Sequence, residues 1–405
     1  MRVALFTETY LPNVNGVVAH VKTLKNGLES LGHEVLVVAA DKHCKHHYIE
    51  DGFLHCPATE FKRFYGFGVA PPISHKRQRM IADFKPDIIH IHHEFGIGLS
   101  GLIAARILKI PLVYTLHTMY DQYVYYIAPR PFLRAATKFS HFYERFIAQC
   151  ATALTGPSQK CEEYFRRIGV QKEVNLIPNT ADLDSFNPQK VSRPEIDAFK
   201  QKYNIPEGKM LVCFVGRLGK EKSVDVLLEY WAKTIKPEDG LHLVVIGEGP
   251  DKAALELLAE ALKIKDMVTF TGLIKHDKIP ACYAACDVFA SASLSEMNSI
   301  SMLEAMASGL PVLQRYDELN ANQIASGVNG FLYHDEKQMA EKLLEIRAMS
   351  PGELAALKER VIGTVLSYGS SELADYMLGV YQRAIDDRAV PTKRRALIRP
   401  LRRKK

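Results

Sequence analysis

No stretch of this sequence stays apolar long enough to cross a membrane. The longest apolar window, Ile97 to Leu116, is broken by Arg106, Lys109 and Pro111, whereas a spanning helix needs about 20 mostly apolar residues. The N-terminal Met-Arg-Val-Ala-Leu-Phe-Thr-Glu has no apolar signal core and reads as a strand, so a cytoplasmic protein is expected. Cysteine is sparse, and its 7 residues (Cys44, Cys56, Cys150, Cys161, Cys213, Cys282, Cys286) show neither pairing nor zinc-type spacing. A disulfide framework is thereby excluded, and free thiols in a reducing compartment are expected. Repeats of solenoid period are absent too. What remains is a 405-residue chain, 47% hydrophobic, too long for one ordinary domain and rich enough for two cores.

Charge is unevenly spread. The tail from Ala389 carries Lys393, Arg394, Arg395, Arg399, Arg402, Arg403, Lys404 and Lys405 without an acid, so the +6 net charge leaves the body near −2. With Leu397, Ile398 and Leu401 among them, these bases suit an anionic membrane surface, at about 1 kcal/mol each. Nucleic acid or a solvated end are the other fates of such a run. Two further stretches alternate aromatics and bases, Phe61 to Phe67 with His75 to Arg79, and Arg130 to Arg145 with Phe132, Phe139 and Phe142. They fit an interfacial face, although burial tendencies alone would turn Phe139, Phe142 and Phe146 inward.

Short apolar runs alternate with amphipathic segments, the pattern of parallel sheets with crossover helices. The runs are Val3–Phe6, Val35–Ala39, Ile88–His92, Leu112–Leu116, Ala153–Thr155 and Val174–Ile177, then Leu211–Val215, Leu243–Ile246, Val268–Phe270, Asp287–Ala290, Pro311–Leu313 and Gly330–Tyr333. An α/β architecture of two doubly wound, Rossmann-like domains is expected, spanning 1–190 and 205–370, with a Pro-rich junction over Asn187 to Gly208. The amphipathic segment near 371–388 would cross back to the first domain, ahead of the basic tail 389–405. Ligands in such sheets bind beyond the strand C-ends.

The most informative of these ends is Ser293 to Gly309, a polar loop and short helix after the run Asp287–Ala290. Asn298 or Ser299 can cap the helix, leaving its N–H groups to face an anion, for which phosphate is the natural candidate. Glu296 sits at the mouth and Glu304 on the wall, and carboxylates suit sugar hydroxyls. Against this, Ser301-x-x-Glu304 also fits a capping box, which would start the helix at Met302. In the second domain Arg217 and Lys222 follow the run Leu211–Val215 and can place cations on a diphosphate. Gly247 and the turn Gly272–Ile274 follow the next two strands. In the first domain Gly16 precedes a helix, and His117 follows the run Leu112–Leu116 in His-Thr-Met-Tyr-Asp-Gln-Tyr123. His90 and His92 would point together on their strand and His93 away, with no acidic or cysteine partner to complete a metal site.

Glu296 and Glu304, followed by Ala-Met-Ala-Ser-Gly-Leu-Pro-Val, resemble the signature of the retaining GT-B glycosyltransferases of family 4. The resemblance extends over nearly the whole chain through motifs in order. It implies that Glu296 and His117 lie against the donor hexose, Glu304 binds the nucleotide ribose, and Arg217 and Lys222 stabilise the diphosphate. It further implies that Gly16, Gly247, Ile274, Asn298, Ser299 and Ile300 line the donor site. Ser299 stands where the family usually has Gly, and its Cβ narrows the room beside the donor. His117, Thr118, Tyr120, Tyr123, Tyr125 and Tyr126 resemble a loop of bacterial diacylglycerol glucosyltransferases, with Asp121 in place of Glu. This implies acceptor contacts at Tyr120, Asp121, Tyr123 and Tyr126.

The expectation is a metal-independent retaining transfer of hexose, glucose from UDP-glucose, to a diacylglycerol-type lipid at the inner membrane face. It requires no cofactor and no nucleic acid. Asp182-Leu-Asp184, inside a Pro-Asn-x-x-Asp string, reads as structural and not as a metal motif. Alternatives are a second-sugar transfer from UDP-galactose or UDP-glucose to glucosyl-diacylglycerol, a soluble or cell-wall acceptor, or a non-catalytic membrane or nucleic-acid binding module. Nothing in the sequence sets an oligomeric state.

Overall fold

A computed structural model describes residues 1–13, 15–60, 68–122, 124–127, 129–180, 185–365 and 369–389. Phe61–Phe67, Tyr123, Asp182–Asp184 and the tail beyond 389 lie outside the described residues, and Tyr126 is described through its backbone alone. Each expected apolar run is a strand, within one or two residues at either end. The edge strands Val268–Gly272 and Val174–Leu176 are half-buried, while the central strands are buried on both faces, because crossover helices cover both sides of a parallel sheet. Their sequences therefore read as continuous Val, Ile and Leu runs, with no alternation.

The first sheet has the order Val174–Leu176, Ala153–Gly156, Leu112–Thr115, Ile88–Ile91, Arg2–Thr7, Glu34–Asp41, Phe53–Pro57, Tyr48–Glu50. All its pairings are parallel except the last, an edge hairpin of Tyr48–Glu50 against Phe53–Pro57. The second sheet, wholly parallel, runs Val268–Gly272, Leu241–Ile246, Met210–Val215, Val288–Ser291, Val312–Arg315, Gly330–Tyr333. Strand order reverses beside Arg2–Thr7 in one sheet and between Met210–Val215 and Val288–Ser291 in the other. Those reversals open the crevices where the loops at Gly16, Arg217 and Glu296 emerge.

The stretch expected as a junction, Asn187 to Gly208, holds a helix, Arg193–Lys202, started by a Ser192–Glu195 capping box. Its Phe199, with Phe186 and Ile205, is buried in the second core, so that core begins before the Pro-rich segment. Proline misled the reading because Pro194 occupies the first helical turn, where its missing N–H costs nothing.

The helix Ser370–Ala389 packs into the first domain. Leu373, Ala374, Met377, Val380, Tyr381 and Ala384 share a core with Val3, Leu5, Val21, Leu24 and Leu28. The approach to the helix Gly16–Ser30 is close: a Cβ on Gly27 would lie 2.1 Å from the Ser370 carbonyl oxygen. Gly27→Ala should therefore cost about 1–3 kcal/mol by overpacking. Gly363→Ala, in a helix with no atom within 4 Å of the new methyl, should instead gain about 0.5–1 kcal/mol. Denaturant unfolding of both variants checks this, and equal stability would contradict the docking of the last helix.

Candidate active site between the two domains

The cations come from the loop after Met210–Val215. Arg217 is ion-paired with the buried Glu221, and Lys222 Nζ lies 2.5 Å from Glu296 Oε1. Glu221 is anchored in turn, its carbonyl oxygen accepting from Ser293 Oγ at 2.8 Å and Ser295 Oγ at 2.6 Å. The basic loop and the Glu296 loop are thus one hydrogen-bonded unit. Gly247 is needed for packing: its φ is +148° and a Cβ there would lie 1.9 Å from the Gly216 carbonyl oxygen. That glycine lets two turns touch, whatever else it meets. Gly247 N–H also donates to Gly272 O, which ties the turn before Ile274 into the same set of loops.

Ser299 caps the helix Ile300–Ala307, accepting from Met302 N at 3.4 Å. The helix therefore starts at Ile300, and the alternative start at Met302 does not occur. Ser299 has φ −70°, a conformation open to any L residue. Its side chain causes no backbone strain, and its hydroxyl serves a helix terminus that glycine would leave uncapped. Glu304 is buried one turn further, within 3.4 Å of the Tyr283 hydroxyl.

The Glu296 loop is held from both sides. Within its own domain Asn320 Nδ2 donates to Glu296 O, and Gln323 Nε2 donates to Met297 O at 2.9 Å. Across the cleft Asn298 Oδ1 accepts from Asn179 N at 2.8 Å, while Asn179 Nδ2 donates to Asn298 O at 2.7 Å. The remaining Asn298 amide donates to Gln323 Oε1, so this side chain, expected on the donor, braces the loop. Met297 is buried in the first domain's core, with its sulfur 3.4 Å from Cys161 Sγ. Lys160 donates to Leu294 O and pairs with Asp317.

From the first domain, Gly16 opens the helix Gly16–Ser30 beneath the Asn15 cap. A Cβ on Gly16 would lie 3.6 Å from Ile300 Cδ1, so two helix N-termini face each other across the cleft. His117 Nε2 is 3.0 Å from His92 Nδ1, and its ring lies edge-on to His20 with centroids 4.8 Å apart. His93 does turn away, toward the Thr7 hydroxyl at 2.8 Å. In the aromatic loop, the Tyr120 ring packs edge-on against Phe95, with centroids 5.0 Å apart. Asp121 accepts from Arg167 at 2.6 Å and from His141 at 3.3 Å. The carboxylate expected on the acceptor thus anchors its loop to the helices Gln159–Arg167 and Leu133–Cys150. Tyr125 crosses to the second domain, its hydroxyl 3.3 Å from Glu221 Oε2.

The family model for Glycosyltransferase Family 4 matches residues 14–185, and that for Glycosyl transferases group 1 matches residues 195–360. An alpha-monoglucosyldiacylglycerol synthase of Acholeplasma laidlawii is 30% identical over 394 residues, 95% of this chain and 98% of that protein. The chain belongs to glycosyltransferase family 4. A second family-4 relative, the alpha-monoglucosyldiacylglycerol synthase of Streptococcus pneumoniae, is 32% identical over 87% of this chain and 79% of its own length. Among solved structures, Anabaena Alr3699/HepE in complex with UDP and glucose superposes with TM-score 0.71 at 17% identity, covering 95% of this chain and all of that one. The fold is GT-B.

Three residues of this family-4 site escaped the sequence: His20, Asn179 and Glu221. His20 lies mid-helix, Asn179 follows a strand, and Glu221 stands between Arg217 and Lys222, which carried the cationic reading. Each acts on a side chain from another loop, so no local spacing marks it. Tyr125 stood in the aromatic string, but only the fold shows that it meets Glu221.

Burial sets protonation around the cleft. Desolvation pushes Glu8 and Glu94 up to about 7 and Glu144 to about 9, from an ordinary 4.5. It lowers His20, His93 and His242 to about 4, from 6.5, and His90, His92 and His117 in the same direction. Below about pH 6.5 the unfolded chain takes protons on histidines that the folded chain refuses, so stability falls with falling pH. Above that pH only the acids differ, retaining protons that the unfolded chain has released, so stability falls again as pH rises toward 9. Between about 4.5 and 6.5 the effects oppose and the more numerous histidines win. The thermal midpoint should therefore peak near pH 6.5 in calorimetry, and a steady rise from 6.5 to 8.5 would contradict these protonation states.

Proposed function

We propose that the protein transfers glucose from UDP-glucose, with retention, to a diacylglycerol-type lipid at the cytoplasmic membrane face. The observation that carries this reading is the pairing of Lys222 with Glu296 at the capped end of the helix Ile300–Ala307, with Arg217 beside it. Without donor, the carboxylates neutralise the cations. A diphosphate takes over Lys222 and Arg217 and meets the helix N-terminus. Glu296 is then released to accept sugar hydroxyls, so one exchange of partners both binds the leaving group and orients the hexose. His117, neutral at physiological pH, completes the hexose contact, and Glu304 takes the ribose. The reaction is a front-face displacement in which the departing diphosphate oxygen accepts the acceptor's proton. Arg217 and Lys222 supply the charge stabilisation, so no metal is called for.

The acceptor reading is supported by the two glucosyl-diacylglycerol synthases and by the helix Leu133–Cys150. Phe139 and Phe142 are 67% and 69% exposed, and Phe132 just before the helix is 64% exposed. Lys138, Phe139, Phe142, Arg145 and Phe146 share one outward face. Exposed phenylalanines between bases suit an anionic bilayer interface. Among the described residues no helix is long and apolar enough to cross a membrane, so peripheral attachment is proposed.

The test is transfer of label from UDP-glucose, UDP-galactose or GDP-mannose into the organic phase of mixed micelles holding diacylglycerol, glucosyl-diacylglycerol and an anionic lipid. Label from UDP-glucose on diacylglycerol is expected, and Glu296→Gln or Lys222→Ala should lower kcat by about 10²–10³. Label on glucosyl-diacylglycerol alone would make this a second-sugar enzyme. Donor binding without any labelled lipid would overturn the acceptor.

A further inference from the structure

His20, His92 and His117 come from a helix, a strand end and a loop, yet one ring nitrogen of each lies within 4.8 Å of the others. The tautomer of His20 follows from its neighbours. Asn179 Nδ2 is committed to Asn298 O, so Asn179 presents Oδ1, an acceptor, to His20 Nδ1 at 3.1 Å. The Nδ1 therefore carries the proton, and Nε2 is left with a lone pair. His20 Nε2 and His92 Nε2 are both buried without a hydrogen-bond partner. Orphaned buried nitrogens are costly, and these sit beside the short His92–His117 contact at 3.0 Å.

We propose that these three imidazoles form a site for a divalent transition-metal ion, zinc by preference, whose occupation withdraws His117 from the donor pocket and inhibits transfer. An all-imidazole set suits zinc, copper or nickel, whereas magnesium and calcium demand oxygen ligands. Zinc–nitrogen bonds of about 2.0–2.1 Å place tetrahedral ligand atoms about 3.3 Å apart, so the rings need approach by at most about 1.5 Å. Asn179 supplies the outer hydrogen bond that fixes a metal-binding histidine's orientation. Since Asn179 also holds Asn298, the ion would be coupled to the donor loop. The histidines remain neutral at physiological pH, so no proton competes for the site. The inhibition rests on the role given to His117 in transfer, while the metal binding does not.

The full chain, titrated with zinc against a chromophoric chelator and without donor, should bind one equivalent in competition, with magnesium giving none. His20→Gln should weaken this binding by more than about tenfold. Retention of binding in His20→Gln would place the ion elsewhere, for instance at the exposed His43 and His46, and overturn the site. X-ray absorption of the zinc-loaded wild-type chain keeps the test independent of that variant's folding. A shell of three imidazoles is expected, and a shell without them would overturn the proposal. Zinc bound at one equivalent with unchanged lipid labelling would overturn the inhibition alone.

Discussion

The site depends on one loop that belongs to two domains. Residues 292–299 leave a strand of the second sheet, but Met297 is buried in the first domain's core and Asn298 accepts two hydrogen bonds from Asn179, one at its side-chain oxygen and one at its backbone carbonyl. Glu296 lies beside this plug. Its carboxylate is thereby held relative to His117, which stands at the end of a strand in the other sheet. Neither domain alone fixes that relation. A two-point contact suits this task, since the two Asn179 donors and the two Asn298 acceptors meet only when the domains stand in one arrangement.

The electrostatics follow from the same closure. Two cations face two carboxylates on the second domain's side, whereas burial on the first domain's side lowers the pKa of His20, His92 and His117 and raises that of Glu8 and Glu94. On the proposed reading the diphosphate meets Arg217 and Lys222, and the hexose extends toward the first domain. The outward phenylalanines of Leu133–Cys150 belong to the first domain as well, as does the aromatic loop after His117. Tyr125 joins that loop to Glu221, so the aromatic loop and the basic loop are in direct contact.

Much of the fold was legible because parallel strands buried on both faces need unbroken apolar runs, and twelve such runs stand in the sequence at the places where strands form. The hairpin Tyr48–Glu50 with Phe53–Pro57 was not, since an edge pair with exposed residues such as Tyr48 and Ile49 gives no such signal. The helix Arg193–Lys202 was hidden by Pro194, which read as a linker residue although its place in the first turn favours a helix. In the site, residues that follow strands in short motifs were visible: Arg217, Lys222, Glu296 and His117 converge on the cleft. Residues that act through a partner far along the chain were not. Asn298, expected on the donor, also braces the loop through a partner 119 residues away. Asp121 likewise serves Arg167, and the departure at Ser299 finds its reason in a helix cap.

The most direct measurement is a double-mutant cycle on Asn179→Ala and Asn298→Ala, read as KM for the sugar donor and as kcat in the lipid-labelling assay. If the amide pair holds the Glu296 loop against the first domain, the two losses overlap, with a coupling of at least about 1 kcal/mol. Strictly additive losses would mean that each asparagine acts alone and that the loop is not positioned across the cleft.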